Sequence, residues 1–267
     1  MSITAVPPTV HSSDRPVTPG TDSELGRLRA LENAYDHSTT RLLDELPLSR
    51  DASCLEVAAG AGSIARWMRR RTEGLVVALD TDAVHLRDIR GIEVIETDIR
   101  GWEAPRQFDL VHCRFLLDLL PYPTDIVACL ARATAPGGYL VLEEFDDLTA
   151  SLASGTPAGL ARHEQVVASK RAAFSAAGYE NYLGRHLPAM VNAIGAFRMR
   201  AAGHVAVRQG GDPGTEPWRR YLENQRGPLL KAGQIDGPDL HAYSRQLQDP
   251  SFVYFAPMLV SVVAEKL

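Results

Sequence analysis

From Asp22 onward, apolar residues recur at helical spacing. Leu25, Leu28, Leu31 and Tyr35 form one stripe, and Leu42, Leu43 and Leu46 form a second. The polar triplet Asp36-His37-Ser38 separates them and predicts two helices, with Ser38 capping the second and Pro47 following its end. The period then changes. Five apolar runs of strand length follow at 54–58, 75–79, 92–95, 108–113 and 139–145. Helices are expected between them at 63–71, 83–90, 114–120 and 125–134. Nearly all-apolar strands alternating with helices predict a parallel sheet covered on both faces, an α/β architecture.

Beyond Phe145 the rhythm is looser. Leu160, Val167 and Phe174 mark a helix ending at Gly178, and a second helix is expected over 187–194, stopping at Gly195. Strand-like stretches at 197–208 and 252–264 enclose helical segments at 218–230 and 240–247. Residues 1–20 carry Pro7, Pro8, Pro16, Pro19 and Gly20 without apolar periodicity, which predicts a disordered tail.

Composition narrows the class. The chain has 267 residues and a formal charge of −5, with 45% hydrophobic and 23% charged residues. Those values are ordinary for a globular protein and exclude disorder as its main state. Its mild acidity argues against nucleic acid as a partner, since phosphate binding needs a basic surface. No run approaches the ~20 apolar residues of a membrane span. The longest candidate, 252–264, is interrupted by Pro257. Cys54, Cys113 and Cys129 fit neither a disulfide framework nor a metal-binding pair. With no basic segment leading an apolar run at the start, a cytoplasmic protein is expected.

The most informative stretch is Leu55-Glu56-Val57-Ala58-Ala59-Gly60-Ala61-Gly62-Ser63-Ile64-Ala65. A strand runs through a glycine turn straight into a helix, whose free N–H groups suit a polar or anionic ligand. Gly60-x-Gly62-x-x-Ala65 satisfies the dinucleotide fingerprint, and Asp80 lies 20 residues past Gly60, where a ribose diol would be bound. Such an acid serves NAD and any other adenosine ligand equally. The loop and Asp80 alone leave both open.

Further residues choose between them. Glu56 is an acid inside the first strand, Asp98 ends the third, and Pro136-Gly137-Gly138 turns into the fifth. Together with Gly60, Gly62 and Asp80, this set resembles the class I S-adenosylmethionine-dependent methyltransferases, and within them the single-domain enzymes of actinobacterial small-molecule metabolism. The resemblance runs from Glu24 to about Glu144 and extends to Gly184-Arg185-His186-Leu187-Pro188 and Asp249-Pro250. One position departs from the family: Ala58 stands where its first glycine is usual.

The resemblance implies a Rossmann-like, seven-stranded, mostly parallel sheet with helices on both faces and the last strand antiparallel. One domain would cover 21–267, with helical caps from 21–47, 147–195 and 212–250. The implied cofactor is S-adenosyl-L-methionine, held by Glu56, Ala58, Gly60, Gly62, Asp80, Thr81, Asp98, Ile99, Cys113 and Arg114. The implied reaction is methyl transfer to O, N or C of a small, largely apolar acceptor, with a homodimer as the assembly to look for. Glu144 and Tyr35 are the expected catalytic residues, because ligands of open α/β sheets sit beyond the C-terminal strand ends. His112 is expected as a hydrogen-bonded core residue, and Glu143, Glu144, Asp146 and Asp147 as a strand end without metal. Among cap residues, Tyr35, His37, His163, Tyr179, Tyr182, Trp218, Tyr221 and Tyr243 are candidates for acceptor contact. Two other readings keep the fold: a cyclase or isomerase using the bound cofactor without transferring methyl, and a non-catalytic binding protein.

Overall fold

The computed structural model describes residues 22–267; the tail expected over 1–20 lies outside them. Helix α1 (Asp22–Asp44) is continuous. The break expected at Asp36-His37-Ser38 does not occur, because the polar positions there have partners on the sheet. Asp36 accepts from Arg114 at 2.7 Å, and Thr39 donates to Glu143 at 2.5 Å. The alternation that follows is β1 (Cys54–Val57), α2 (Ser63–Arg71), β2 (Val76–Asp80), β3 (Glu93–Glu96), β4 (Phe108–Arg114), α3 (Pro123–Ala133) and β5 (Thr134–Asp146).

Two expected helices are absent, for a shared reason. Over 83–90 the chain forms successive turns, since the Asp80 and Asp82 carboxylates take the N–H groups of Asp82 and Val84. Over 114–120 only a 3₁₀ turn, Leu117–Leu119, survives, since Glu144 takes the N–H groups of Leu116 and Leu117. Side-chain oxygens that bind local N–H groups compete with helix formation. The Pro136-Gly137-Gly138 turn becomes a bulge within continuous β5: Phe108 pairs with Thr134, and the next paired residues are Leu110 and Tyr139. At Gly138 a Cβ would lie 3.0 Å from the Asp109 carbonyl oxygen, so the two strands meet too closely there for a side chain.

The second half comprises β6 (Ala153–Ser154), α4 (Pro157–Ala176), α5 (Leu187–Ile194), β7 (Phe197–His204), β8 (Val207–Gln209), α6 (Glu216–Asn224), α7 (Arg226–Lys231), α8 (Gly237–Gln246), β9 (Val253–Phe255) and β10 (Met258–Lys266). The main sheet has the order β3-β2-β1-β4-β5-β10-β7. Strand β10 is antiparallel to both neighbours and lies second from the edge. Each long stretch expected at 197–208 and 252–264 is divided, and β8 and β9 join β6 in a separate antiparallel sheet. Pro257, which has no N–H for a ladder, sits at the β9–β10 break.

Alternating side chains place two apolar layers on the main sheet. Cys54, Val76, Leu110 and Val141 face Leu43 and Leu46, at the C-terminal end of α1 and just beyond it, and Ile64 and Met68 of α2. Leu55, Val77, Val111 and Leu142 pack with Val127 and Leu130 of α3 and Leu187 and Val191 of α5. Helix α5 therefore belongs to the sheet layer, not to the cap expected over 147–195. Helices α4, α6, α7 and α8 build their own cluster around Tyr243, Phe252 and Tyr254.

Candidate active site

At the C-terminal edge of β1, β2 and β3 lies a cleft of about 260 Å³. Eight of the ten expected cofactor residues line it: Glu56, Ala58, Gly60, Asp80, Thr81, Asp98, Ile99 and Arg114. The turn after β1 adopts left-handed backbone at Ala58 (φ 57°), Gly60 (56°) and Gly62 (84°). Asp80 steadies it: Oδ2 accepts the Gly60 N–H at 2.8 Å and Oδ1 accepts the Asp82 N–H at 3.0 Å. Oδ1 also accepts the Thr81 hydroxyl at 3.4 Å, so of the two oxygens, each with two lone pairs, Oδ2 keeps capacity for a ligand. Asp98 accepts from the Arg100 backbone and guanidinium at the open end of the cleft.

Gly62 and Cys113 fall outside the lining. Gly62 caps α2 where a Cβ would collide with Ile89 and come within 2.9 Å of Leu86, so it serves packing between the loop and the 83–90 turns. Cys113 points into the apolar layer, and burial pushes its thiol well up.

Beneath the cleft runs a buried polar chain across neighbouring strands. Glu56 is paired in register with His112, and Arg114 with Glu143. His112 Nδ1 is 2.6 Å from Glu56 Oε2, and its Nε2 is 3.3 Å from Glu143 Oε2. Ser261 and Thr39 donate to Glu143 at 2.6 and 2.5 Å, and Arg114 donates to Thr39 and Asp36. Burial alone would push the imidazole down, but Glu56 and Glu143 outweigh it and raise His112 to about 9. Burial likewise opposes ionisation of Glu143, yet His112, Arg114 and Ser261 hold it down to about 2. Glu56 itself is raised by burial, against His112. His112 is a core residue, as its sequence position suggests.

A second cavity of about 210 Å³ adjoins the cleft and shares Arg27, Leu31, Phe115 and Leu119 with it. Tyr35 lies on its wall, buried near the Arg208 guanidinium; burial raises its pKa. Glu144 does not reach either cavity. It is completely buried and accepts the N–H groups of Leu116 and Leu117 at 2.8 and 2.6 Å, which makes it a support for the turn after β4. The acids around it are likewise engaged separately: Asp146 with Arg185, and Asp147 with Lys170. Of the cap candidates, His163, Trp218 and Tyr221 also line the second cavity, and Tyr179 lines the cleft. Tyr243 is buried behind, bonded to His163 and Trp218, and Tyr182 lies under Arg185; His37 lines neither cavity.

Sequence reasoning missed Glu32, Phe115 and Asp118. Glu32 reaches from α1 to accept the Ser63 N–H, at the N-terminus of α2 on the cleft wall, at 3.0 Å. Its signal is an acid beside the apolar stripe of α1. Phe115 has left-handed backbone (φ 58°) and stacks on Phe145 at 4.3 Å, with Tyr35 edge-on to both. Asp118 lines the second cavity and is visible in the sequence as an acid within an otherwise apolar run.

Residues 27–190 match the family described as methyltransferase domain. A methyltransferase named str3 from Strobilurus tenacellus is 28% identical over 140 residues, 49% of this chain and 48% of that protein. The chain thus spans about half the length of this curated relative. In fold it is similar to YcgJ of Bacillus subtilis, at a TM-score of 0.58 and 14% identity, covering 87% of this chain and 99% of that one. It is also similar to a Haemonchus contortus phosphoethanolamine N-methyltransferase solved with S-adenosyl-L-methionine, at a TM-score of 0.56 and 14% identity, covering 96% of this chain and 59% of that one.

Proposed function

The chain belongs to the methyltransferase domain family, and on that premise we propose that it transfers a methyl group from S-adenosyl-L-methionine to a small, largely apolar acceptor. The observation that carries this reading is the pair of adjoining cavities, one built from backbone and carboxylates, the other from rings.

The residues of the cleft fit the adenosyl cofactor. A Cβ at Gly60 would meet Leu28 at 3.1 Å, so a side chain there would crowd α1 where it borders the cleft. Asp80 is the group that would hold a ribose diol, and Asp98 with Ile99 would border the adenine. Glu56, Arg114 and the start of α2 would meet the amino-acid end. When bound, the cofactor supplies an electrophilic methyl on a sulfonium, so the protein's task is alignment in a dry site. Phe115 and Leu119 stand between the two cavities, and Arg27 and Leu31 of α1 cover them, keeping water from the line of transfer. No helix among the described residues is long and apolar enough to cross a membrane. The three cysteines are buried free thiols, as suits a reducing, cytoplasmic setting.

Calorimetric titration with S-adenosyl-L-methionine, its demethylated product and NADH in parallel tests the reading. Micromolar binding of both sulfur ligands without NADH is expected. Failure of both sulfur ligands to bind would overturn it.

A further inference from the structure

The turn after β4 divides its side chains between the two cavities. Leu116 and Leu120 line the cleft, Phe115 and Leu119 line both, and Asp118 lines the ring-walled cavity alone. Asp118 therefore carries a carboxylate one residue from the wall the cavities share. Its Oδ1 is enclosed and has no hydrogen-bond partner among the described residues. The turn is held in place from two sides: Glu144 binds the Leu116 and Leu117 N–H groups, and the Glu180 N–H donates to the Asp118 carbonyl at 3.0 Å.

The charged neighbours of Asp118 come from three elements. Glu144 on β5 is completely buried, and its Oε2 also lacks a partner among the described residues. Asp147, just past β5, is paired through Oδ2 with Lys170 of α4 at 2.7 Å. Burial pushes Asp118 up to about 7; Asp147 adds to this and Lys170 opposes it. Burial and the facing Asp118 push Glu144 well up. Burial and neighbouring carboxylates disfavour charge on both acids, so Asp118 is poised to gain or release a proton near neutrality.

Two other polar groups of the cavity are committed elsewhere, while Asp147 keeps one carboxylate oxygen, Oδ1, without a hydrogen-bond partner among the described residues. Lys170 binds Asp147 and Asn181, and His163 is bonded to Tyr243 and the Ala150 carbonyl. Flat rings form two parts of the remaining wall, beside aliphatic residues such as Leu31 and Val167. Phe115 and Phe145 stack on one side, and Trp218 and Tyr221 stack at 5.2 Å and 11° on another. Parallel ring faces favour a planar apolar guest. A hydroxyl nucleophile, unlike a thiolate, gains from a base beside it.

We propose that Asp118 is the catalytic residue that takes the proton from a ring hydroxyl of a hydroxylated aromatic acceptor seated in this cavity, with Glu144 as the positioning residue that fixes its turn. This rests on the methyl-transfer reading above. The O–H bond breaks toward the carboxylate and its electron pair stays on oxygen to form the O–C bond. The pair of the broken S–C bond remains on sulfur, and Asp118 is left neutral.

2-Naphthol tests this without turnover, because its excited state gives naphtholate emission when a proton acceptor adjoins the hydroxyl. The full chain should bind the probe with a naphtholate band that fades as pH falls through about 7. Asp118→Asn should bind it with the anisotropy of the parent but emit as neutral naphthol. Asp147→Asn should keep the band. Absence of probe binding, a band that survives in Asp118→Asn, or a band lost only in Asp147→Asn would each overturn the proposal. Calorimetry with S-adenosyl-L-methionine on the same proteins separates the two readings: cofactor binding without a naphtholate band defeats only the acceptor proposal, whereas a naphtholate band without cofactor binding defeats methyl transfer and, with it, the catalytic role of Asp118.

Discussion

His112 and Glu56 are joined at 2.6 Å between adjacent strands, so the acid that borders the candidate cofactor cleft is tied to an imidazole whose pKa its carboxylate neighbours raise to about 9. The folded protein holds the imidazolium proton between pH 6.5, the ordinary value, and about 9, a range in which the unfolded chain releases it. The stabilisation is therefore complete below 6.5 and is lost as pH rises through 9, a change on the order of 3 kcal/mol. Urea unfolding followed across that window should show the decline. Replacing His112 by Gln leaves two buried carboxylates without their cation; it should cost about 3–5 kcal/mol at neutral pH and flatten the alkaline slope.

Asp80→Ala removes both the anchor of the Gly60 turn and the carboxylate offered to a diol. Hydrogen bonds to a charged group contribute about 1.5–3 kcal/mol, so cofactor affinity should fall about tenfold or more while circular dichroism stays that of the parent. Titration calorimetry reads the first quantity. Unchanged affinity would remove Asp80 from the site.

Ala58 occupies left-handed backbone at φ 57°. A Cβ there costs about 1–2 kcal/mol, partly offset by the lower chain entropy of alanine in the unfolded state. Ala58→Gly should therefore raise stability by up to about 1 kcal/mol, seen as a higher thermal midpoint, with cofactor binding equal or tighter.

Gly62→Ala should act in the opposite direction and on stability alone. The added methyl meets Ile89 and Leu86 and must hold φ at 84°. A loss of about 1–3 kcal/mol is expected in chemical denaturation. Affinity for the cofactor, measured at a temperature where the variant is folded, should change little.

The parallel sheet was readable because strands buried on both faces are almost purely apolar, and the glycine turn because left-handed backbone restricts residue choice. Helices at 83–90 and 114–120 were misjudged where Asp80, Asp82 and Glu144 claim the N–H groups a helix would need, an interaction that spacing cannot reveal. The same blindness promoted Glu144 to the chemistry. Its place at a strand end was correctly read, but which way it turns depends on the loop from β4, 27 residues away in the chain. Asp118, which does face a cavity, was hidden in a stretch read as helix. The three-strand sheet was missed because β6, β8 and β9 have two or three residues each, too few to show a period.

Unbroken over 23 residues, α1 is a rod about 34 Å long. Leu28 and Glu32 touch only the cleft, Tyr35 only the ring-walled cavity, and Arg27 and Leu31 touch both. Any guest that shifted this shared wall in one chamber would shift it in the other as well. Whatever one ligand gains by seating the rod more firmly, the other gains in equal measure, since such coupling is reciprocal. Had the chain broken at Asp36-His37-Ser38, each half could have settled separately. A single rod would carry a displacement made in the first chamber to the second.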